Sequence, residues 1–260
     1  MNRTETIVDR YLRRMTSDVA YEPDGNIPPD FRVAGKLAVE VRTLNENYFG
    51  GEVPRGLERD QIRIESAVEA ALREFDQEVP GEAYWVRLDF SRPLGNLKHL
   101  KREIRQRLRA FLASCRSTPY EIIRRNGIAI TLLKAEKPHR QTFRIVMQSD
   151  RNSGGAVAGI YVRNIRYCID EKTEKIRPFR ERYSRWWLVL VDFLSGLSRD
   201  DPEDERELKT VEEHLTKPPL WEKVLVLRPR TETELIHIHR DRDSPCREPL
   251  PHHPTDQEVP

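Results

Sequence analysis

The run Trp186-Trp187-Leu188-Val189-Leu190-Val191 leaves this chain few choices of fold. It is apolar at consecutive positions, so side chains on both faces of the extended segment need cover. The middle strand of a sheet with helices on either side meets that demand. The run is far shorter than the roughly 20 residues that span a bilayer, and the N-terminal MNRTETIVDR is charged, so neither an export signal nor a membrane anchor is expected. With 260 residues the chain can bury an ordinary core as one α/β domain. The net charge of +2 is too small to mark a nucleic-acid binder by itself, so the distribution of charge must carry that argument. The cysteines, Cys115, Cys168 and Cys246, are odd in number and form no CxxC pair. That argues against a disulfide framework or thiolate zinc site and for a reducing cytoplasm.

Residues 27–47 hold two short apolar-rich runs, Phe31 to Val33 and Leu37 to Leu44, separated by Ala34, Gly35 and Lys36. This pattern predicts a β-hairpin. Side chains alternate along a strand, so Val39 and Val41 face one way while Ala38, Glu40, Arg42 and Leu44 face the other. A three-residue loop sets Asp30 opposite Glu40, with β-carbons roughly 5 Å apart; a two-residue loop shifts that register. Like charges facing each other across a ladder are destabilising unless something positive lies between them. A hard divalent cation, which takes one or two carboxylates together with waters and phosphate oxygens, fits that need.

Around the hairpin the pattern alternates helices and strands. Residues 4–15 predict a helix with Thr4 as N-cap and Ile7, Val8, Tyr11, Leu12 and Met15 on one face. Residues 17–29 and 48–56 read as turn and loop, and 57–79 as a helix ending before Pro80-Gly81. A strand over 84–90 precedes a basic helix over 97–113. That helix has a core stripe of Leu97, Leu100, Ile104, Leu108, Phe111 and Leu112, and it places Lys98, Lys101, Arg102, Arg105, Arg107 and Arg109 elsewhere, opposed by Glu103. Such a one-signed surface is a footprint of phosphate-backbone contact; a solvated face offset by acids in three dimensions is the alternative. Antiparallel strands are expected at Ile122-Ile123, 128–133 and 143–147. Residues 153–159 match neither phosphate-loop pattern and read as a turn. A helix over 160–177, at least from Arg163, carries Lys172 and Lys175 and stops at Pro178. An acidic solvated helix over 200–213 and strands over 221–227 and 234–239 complete the pattern. The proline-rich, charged tail over 240–260 is expected to be disordered, and His237, His239, Cys246, His252 and His253 match no zinc spacing.

Pro29-Asp30, a hairpin's length, then Glu40-Val41-Arg42 with a polar strand end at Asn45 resemble the PD-(D/E)XK nuclease superfamily, the restriction-endonuclease-like fold. A lysine-bearing helix followed by the Trp-Leu-Val-Leu-Val strand extends the likeness. The resemblance implies an α/β fold with a mixed central sheet flanked by helices: an αβββαβ core over about 1–50 and 160–195, a long α+β insertion over about 51–159 and C-terminal strands over 220–239, all in a single domain of 1–239. It implies Asp30 and Glu40, with the Val41 backbone carbonyl, as ligands of Mg²⁺ or Mn²⁺, and Glu5 (or Asp9) of the first helix as a further member of the acidic cluster; the alternatives are a turn-capping Asp30, a Glu40 ion pair with Arg42 or Lys36, and an acidic first turn that complements the helix dipole. Family members carry lysine where this chain has Arg42. Arginine stays protonated and cannot act as a general base, but it can hold a phosphate oxygen through two hydrogen bonds. Lys36 at the turn or Lys172 from the later helix would supply the missing ammonium. The expected function is that of a metal-dependent endonuclease hydrolysing phosphodiester bonds in DNA, with Lys98, Lys101, Arg102, Arg105 and Arg109 on the backbone. The other reading is a catalytically inactive nuclease-fold module that binds nucleic acid or a partner protein. Whether two copies pair stays open. No Gly-x-Ser-x-Gly elbow or Walker lysine offers a rival enzyme class.

Overall fold

The computed structural model describes residues 1–76, 82–114, 116–137, 140–194 and 196–238. The tail expected to be disordered lies outside the described residues, as do Cys115, Cys246 and the end of the helix expected over 57–79. The protein is mixed α/β, and its chain divides into two compact units. One comprises Met1–Asn45 with Gly155–Pro260, the other Glu46–Gly154.

The first unit opens with α1 (Arg3–Met15). Its N-cap is Asn2 rather than Thr4: Asn2 accepts from the Glu5 N–H, and the Glu5 carboxylate accepts from the Asn2 N–H, a reciprocal capping box. The expected turn region then contains a short strand, β1 (Val19–Tyr21). It pairs antiparallel with β2 (Phe31–Val33), which pairs antiparallel with β3 (Leu37–Leu44). The hairpin loop is the three-residue one, with Val33 opposite Leu37 and Phe31 opposite Val39. Ala34 and Gly35 both take positive φ, +47° and +69°, where glycine is at ease and alanine is strained.

The chain returns to this unit in α4 (Val157–Ile176), β10 (Arg185–Asp192), α5 (Pro202–Glu213), β11 (Lys223–Leu227) and β12 (Glu234–Ile238). The helix begins earlier than residues 153–159 suggested, at Val157, because the Glu207 carboxylate accepts its Ala158 N–H. The sheet order is β1-β2-β3-β10-β11-β12. β3, β10 and β11 run parallel and the outer strands antiparallel. Both faces are covered. Val39, Val41, Val189 and Val191 pack against Ile7, Val8 and Leu12 of α1, whereas Ala38, Leu44, Leu188 and Leu190 pack against Val162, Ile165 and Ile169 of α4 and Leu208 of α5. Each fully buried aliphatic side chain contributes roughly 1.5–3 kcal/mol relative to exposure.

The second unit contains β4 (Asn47–Tyr48), β5 (Arg55–Gly56), α2 (Leu57–Leu72), β6 (Tyr84–Phe90), α3 (Leu97–Ala113), β7 (Tyr120–Arg125), β8 (Ile128–Lys134) and β9 (Phe143–Asp150). The stretch expected to be a plain loop is closed by the β4–β5 ladder. The larger sheet has the order β7-β8-β6-β9. β7 and β8 form the expected antiparallel hairpin across Asn126-Gly127, both at positive φ, and a Cβ at Gly127 would collide with Ser91 Oγ. β9 corrects the expectation: its partner is β6, to which it is parallel. The chain passes β6 after leaving β8, and the apolar pattern of β9 does not encode which strand it will meet. Val86, Leu88, Ile130 and Leu132 pack with Ile64 and Val68 of α2 and Ile104 and Leu108 of α3 in one core.

Candidate functional site

The hairpin positions the first two acids. Asp30 lies one residue before β2, and the register of the pair, continued by one step, sets it beside Glu40 of β3. Asp30 Oδ2 accepts the Val41 backbone N–H at 2.7 Å. Glu40 is fully buried, and its neighbour across the parallel ladder is Leu188. Its face of the sheet is the one covered by α4, and from that helix come the compensating charges. Lys172 Nζ donates to Glu40 Oε2 at 2.6 Å and lies 3.6 Å from Asp30 Oδ2. Lys175 Nζ reaches the same Glu40 oxygen at 3.1 Å. Lys172 is almost fully buried, whereas Lys175 keeps 44% of its side chain exposed. The positive group that the facing carboxylates demanded is therefore an ammonium supplied by the chain itself.

At the residue beside Lys172 on the helix the signs are reversed. Arg42, two residues after Glu40 on the same face, pairs with Glu171: Nη1 donates to Oε1 at 2.9 Å, and Nη2 lies 2.6 Å from Oε2, which accepts no hydrogen bond. Its guanidinium carbon also stands 5.8 Å from the centre of the Tyr167 ring. The terminal nitrogens that could grip a phosphate face Glu171 instead. Burial draws the Lys175 pKa down, but the Glu40 and Asp30 carboxylates outweigh it and hold the ammonium above its ordinary value. Burial pushes the neighbouring Cys168 thiol up, with Arg42 opposing.

The expected residues thus separate. Asp30, Glu40, Val41 and Lys172 come together, with Arg42 one step away. Lys36 stands exposed at the turn, and no ion pair among the described residues ties it to either carboxylate. Glu5 caps its own helix and accepts from the Tyr21 hydroxyl at 2.9 Å; α1 packs on the other face of the sheet, so Glu5 does not join the pair, and Asp9 is held by Arg13. Lys175 and Glu171 are the residues that sequence reading leaves without a role. Their signal is the alternation Glu40/Arg42 on the strand answered by Glu171/Lys172/Lys175 on the helix.

A hard divalent ion fits this donor set in one respect that the structure makes visible. Glu40 Oε1 is buried without any hydrogen-bond partner, an acceptor with capacity to spare. Two carboxylates are the ordinary protein share of a Mg²⁺ site completed by waters and phosphate. Among the described residues no group of three or more His, Cys, Asp or Glu side chains converges.

The basic helix lies in the second unit. Arg105 pairs with Glu74, Glu103 is shared by Arg107 and Arg125, and the Arg109 guanidinium lies 6.0 Å from the Phe75 ring centre. Lys98, Lys101 and Arg102 enter no such pair among the described residues. No helix among the described residues is long and apolar enough to cross a membrane. No family model, no curated protein and no solved structure matches the chain.

Proposed function

We propose that this chain is a metal-dependent nuclease of the restriction-endonuclease-like kind, hydrolysing phosphodiester bonds in DNA at Asp30, Glu40 and Lys172. One observation carries the reading: a lysine from α4 meets an acid within β3 by a hydrogen bond and an acid before β2 within ion-pair distance, although Lys172 is 132 residues from Glu40 in the chain. The order α1, β1, β2, β3, α4, β10, with an antiparallel hairpin and a parallel return strand, agrees with the αβββαβ core that the motif implies.

Asp30 and Glu40, with the Val41 carbonyl, would hold Mg²⁺ or Mn²⁺. Such an ion, when bound, polarises a phosphoryl oxygen and lowers the pKa of a coordinated water. The chain's own residues do the rest. The Val41 N–H fixes the Asp30 carboxylate, and Lys172 holds Glu40 while presenting positive charge where negative charge develops on the phosphate. Lys175, kept protonated by the carboxylates and half exposed, adds charge on the solvent side. Three acids, Asp30, Glu40 and Glu171, balance three cations, Arg42, Lys172 and Lys175.

A DNA cleavage assay in Mg²⁺ or Mn²⁺ tests the reading. Asp30→Asn, Glu40→Gln and Lys172→Met should each lower the rate about 10²-fold or more, and cleavage that persists in all of them would overturn it. The ammonium already seated between the carboxylates favours a second reading, a silent module that binds nucleic acid or a partner protein. Under it DNA is retained in a salt-dependent manner, the native chain does not cut, and substitutions at Asp30 and Glu40 leave binding unchanged.

A further inference from the structure

Arg42 stands where the resembled family carries its lysine, yet it faces a carboxylate on the helix rather than open solvent. From the geometry we infer that the Arg42–Glu171 pair is a register clamp that aims Lys172 at Glu40, so that Arg42 is a positioning residue. The inference rests on the reading of Lys172 as the active-site ammonium.

Side chains on one face of β3 recur about every 6.6 Å, and one α-helical turn rises about 5.4 Å. Glu40 and Arg42 are thus spaced like successive turns of α4. The strand presents negative then positive, and the helix answers with Lys172 and Lys175 at Glu40 and with Glu171 at Arg42. Sliding the helix by a turn would bring Glu171 toward Glu40 in one direction, or the lysines toward Arg42 in the other. Either way like charges would meet, and at the Glu40 end they would do so in a buried setting where screening is weak. The apolar contacts of Ile165, Cys168 and Ile169 do not impose that choice, because hydrophobic burial is non-directional.

The identity of residue 42 follows from the same geometry. A planar guanidinium can set both terminal nitrogens against one carboxylate and its face against a ring, as Arg42 does with Glu171 and Tyr167, whereas an ammonium is a point charge that fixes no orientation. Because Glu171 and Lys172 are adjacent, fixing one fixes the other.

The test compares the full-length chain with Arg42→Met, Glu171→Met, the double variant and Arg42→Lys, after circular dichroism has established that each is folded. Two readouts are taken on each: acetylation of Lys172 by acetic anhydride, located by mass spectrometry, and Mg²⁺-dependent DNA cleavage. In the native chain Lys172 should label slowly. Either Met variant should label it about tenfold faster and cleave correspondingly slower, the double variant should be no worse than either single one, and Arg42→Lys should lie between. If Arg42 instead touches phosphate directly, Arg42→Met lowers cleavage with Lys172 labelling unchanged, while Glu171→Met releases the guanidinium and does not lower cleavage. That outcome overturns the clamp. Failure of the nuclease reading looks different: no variant cuts, including the native chain, and the labelling pattern still reports on the clamp.

Discussion

The two sheets are covered by opposite rules. In the first unit both faces of β10 are buried, with Leu188 and Leu190 on one side and Val189 and Val191 on the other. In the second unit β6 buries Val86 and Leu88 on the face that packs with α2 and α3, while its other face shows a half-buried Trp85 and an exposed Arg87 paired with Asp89. The difference is written in sequence as a continuous apolar run against strict alternation. It also decides what charge can do. A polar group in the doubly covered sheet must find its partner inside the protein, so Glu40 draws in two lysines. Most charges of the second unit, 20 Lys and Arg against 15 Asp and Glu over 46–154, stay at the surface, several paired within a turn or a strand, and its buried Arg92 is likewise matched inside the unit by Asp60 and Asp150.

The sharpest way to break that contrast is to remove a buried partner. Lys172→Met leaves Glu40 with Lys175 alone and should lower unfolding free energy by about 3–5 kcal/mol in a urea titration, with Glu40→Gln in the same chain restoring part of the loss. A destabilisation below about 1 kcal/mol would mean the site is wetter than its burial implies. Next in size, Leu188→Ala should cost about 2–5 kcal/mol, whereas Leu133→Ala, half-buried on the second unit's other face, should cost under about 1.5 kcal/mol. Equal losses would show that both sheets are sealed alike.

Charge reversal on the second unit should be felt by a ligand rather than by the fold. Lys98→Glu, Lys101→Glu and Arg102→Glu should each change stability by no more than about 0.5 kcal/mol. Together they should flatten the salt dependence of DNA binding by about 0.9 for every phosphate the helix no longer neutralises. An unchanged slope would place the DNA on another surface. The smallest effect concerns Lys175. Its folded pKa is raised, so its contribution is complete below the unfolded value of about 10.4 and is lost as pH climbs through the folded value. Native protein should therefore lose stability more steeply than Lys175→Met above about pH 10, by a modest amount because the group is partly exposed.

Much of this contrast is legible without coordinates. The Trp186 to Val191 run, the alternation of 84–90 and the stripe of α3 each predict the element found and the face it buries. The strand β1 escapes such a reading because three residues between turn signals give too little periodicity. Glu5 stays ambiguous in it because an acid in a first turn serves a cap and a cluster equally well until the packing face of the helix is known. The Arg105–Glu74 pair is invisible for a related reason: their elements are separate in sequence, and only the core shared by α2 and α3 brings them side by side.

What the sequence determined by itself was local: period-two alternation set the faces of β3, and Ala34-Gly35-Lys36 set a loop length that brings Asp30 beside Glu40. Tertiary structure decided which cation answers them, and it chose Lys172 over Lys36 and turned Arg42 toward Glu171. The physical reason is range. Strand pleat and turn geometry act over a few residues, whereas the sliding of α4 along β3 is settled only when the whole hydrophobic face closes and each buried charge has met its opposite.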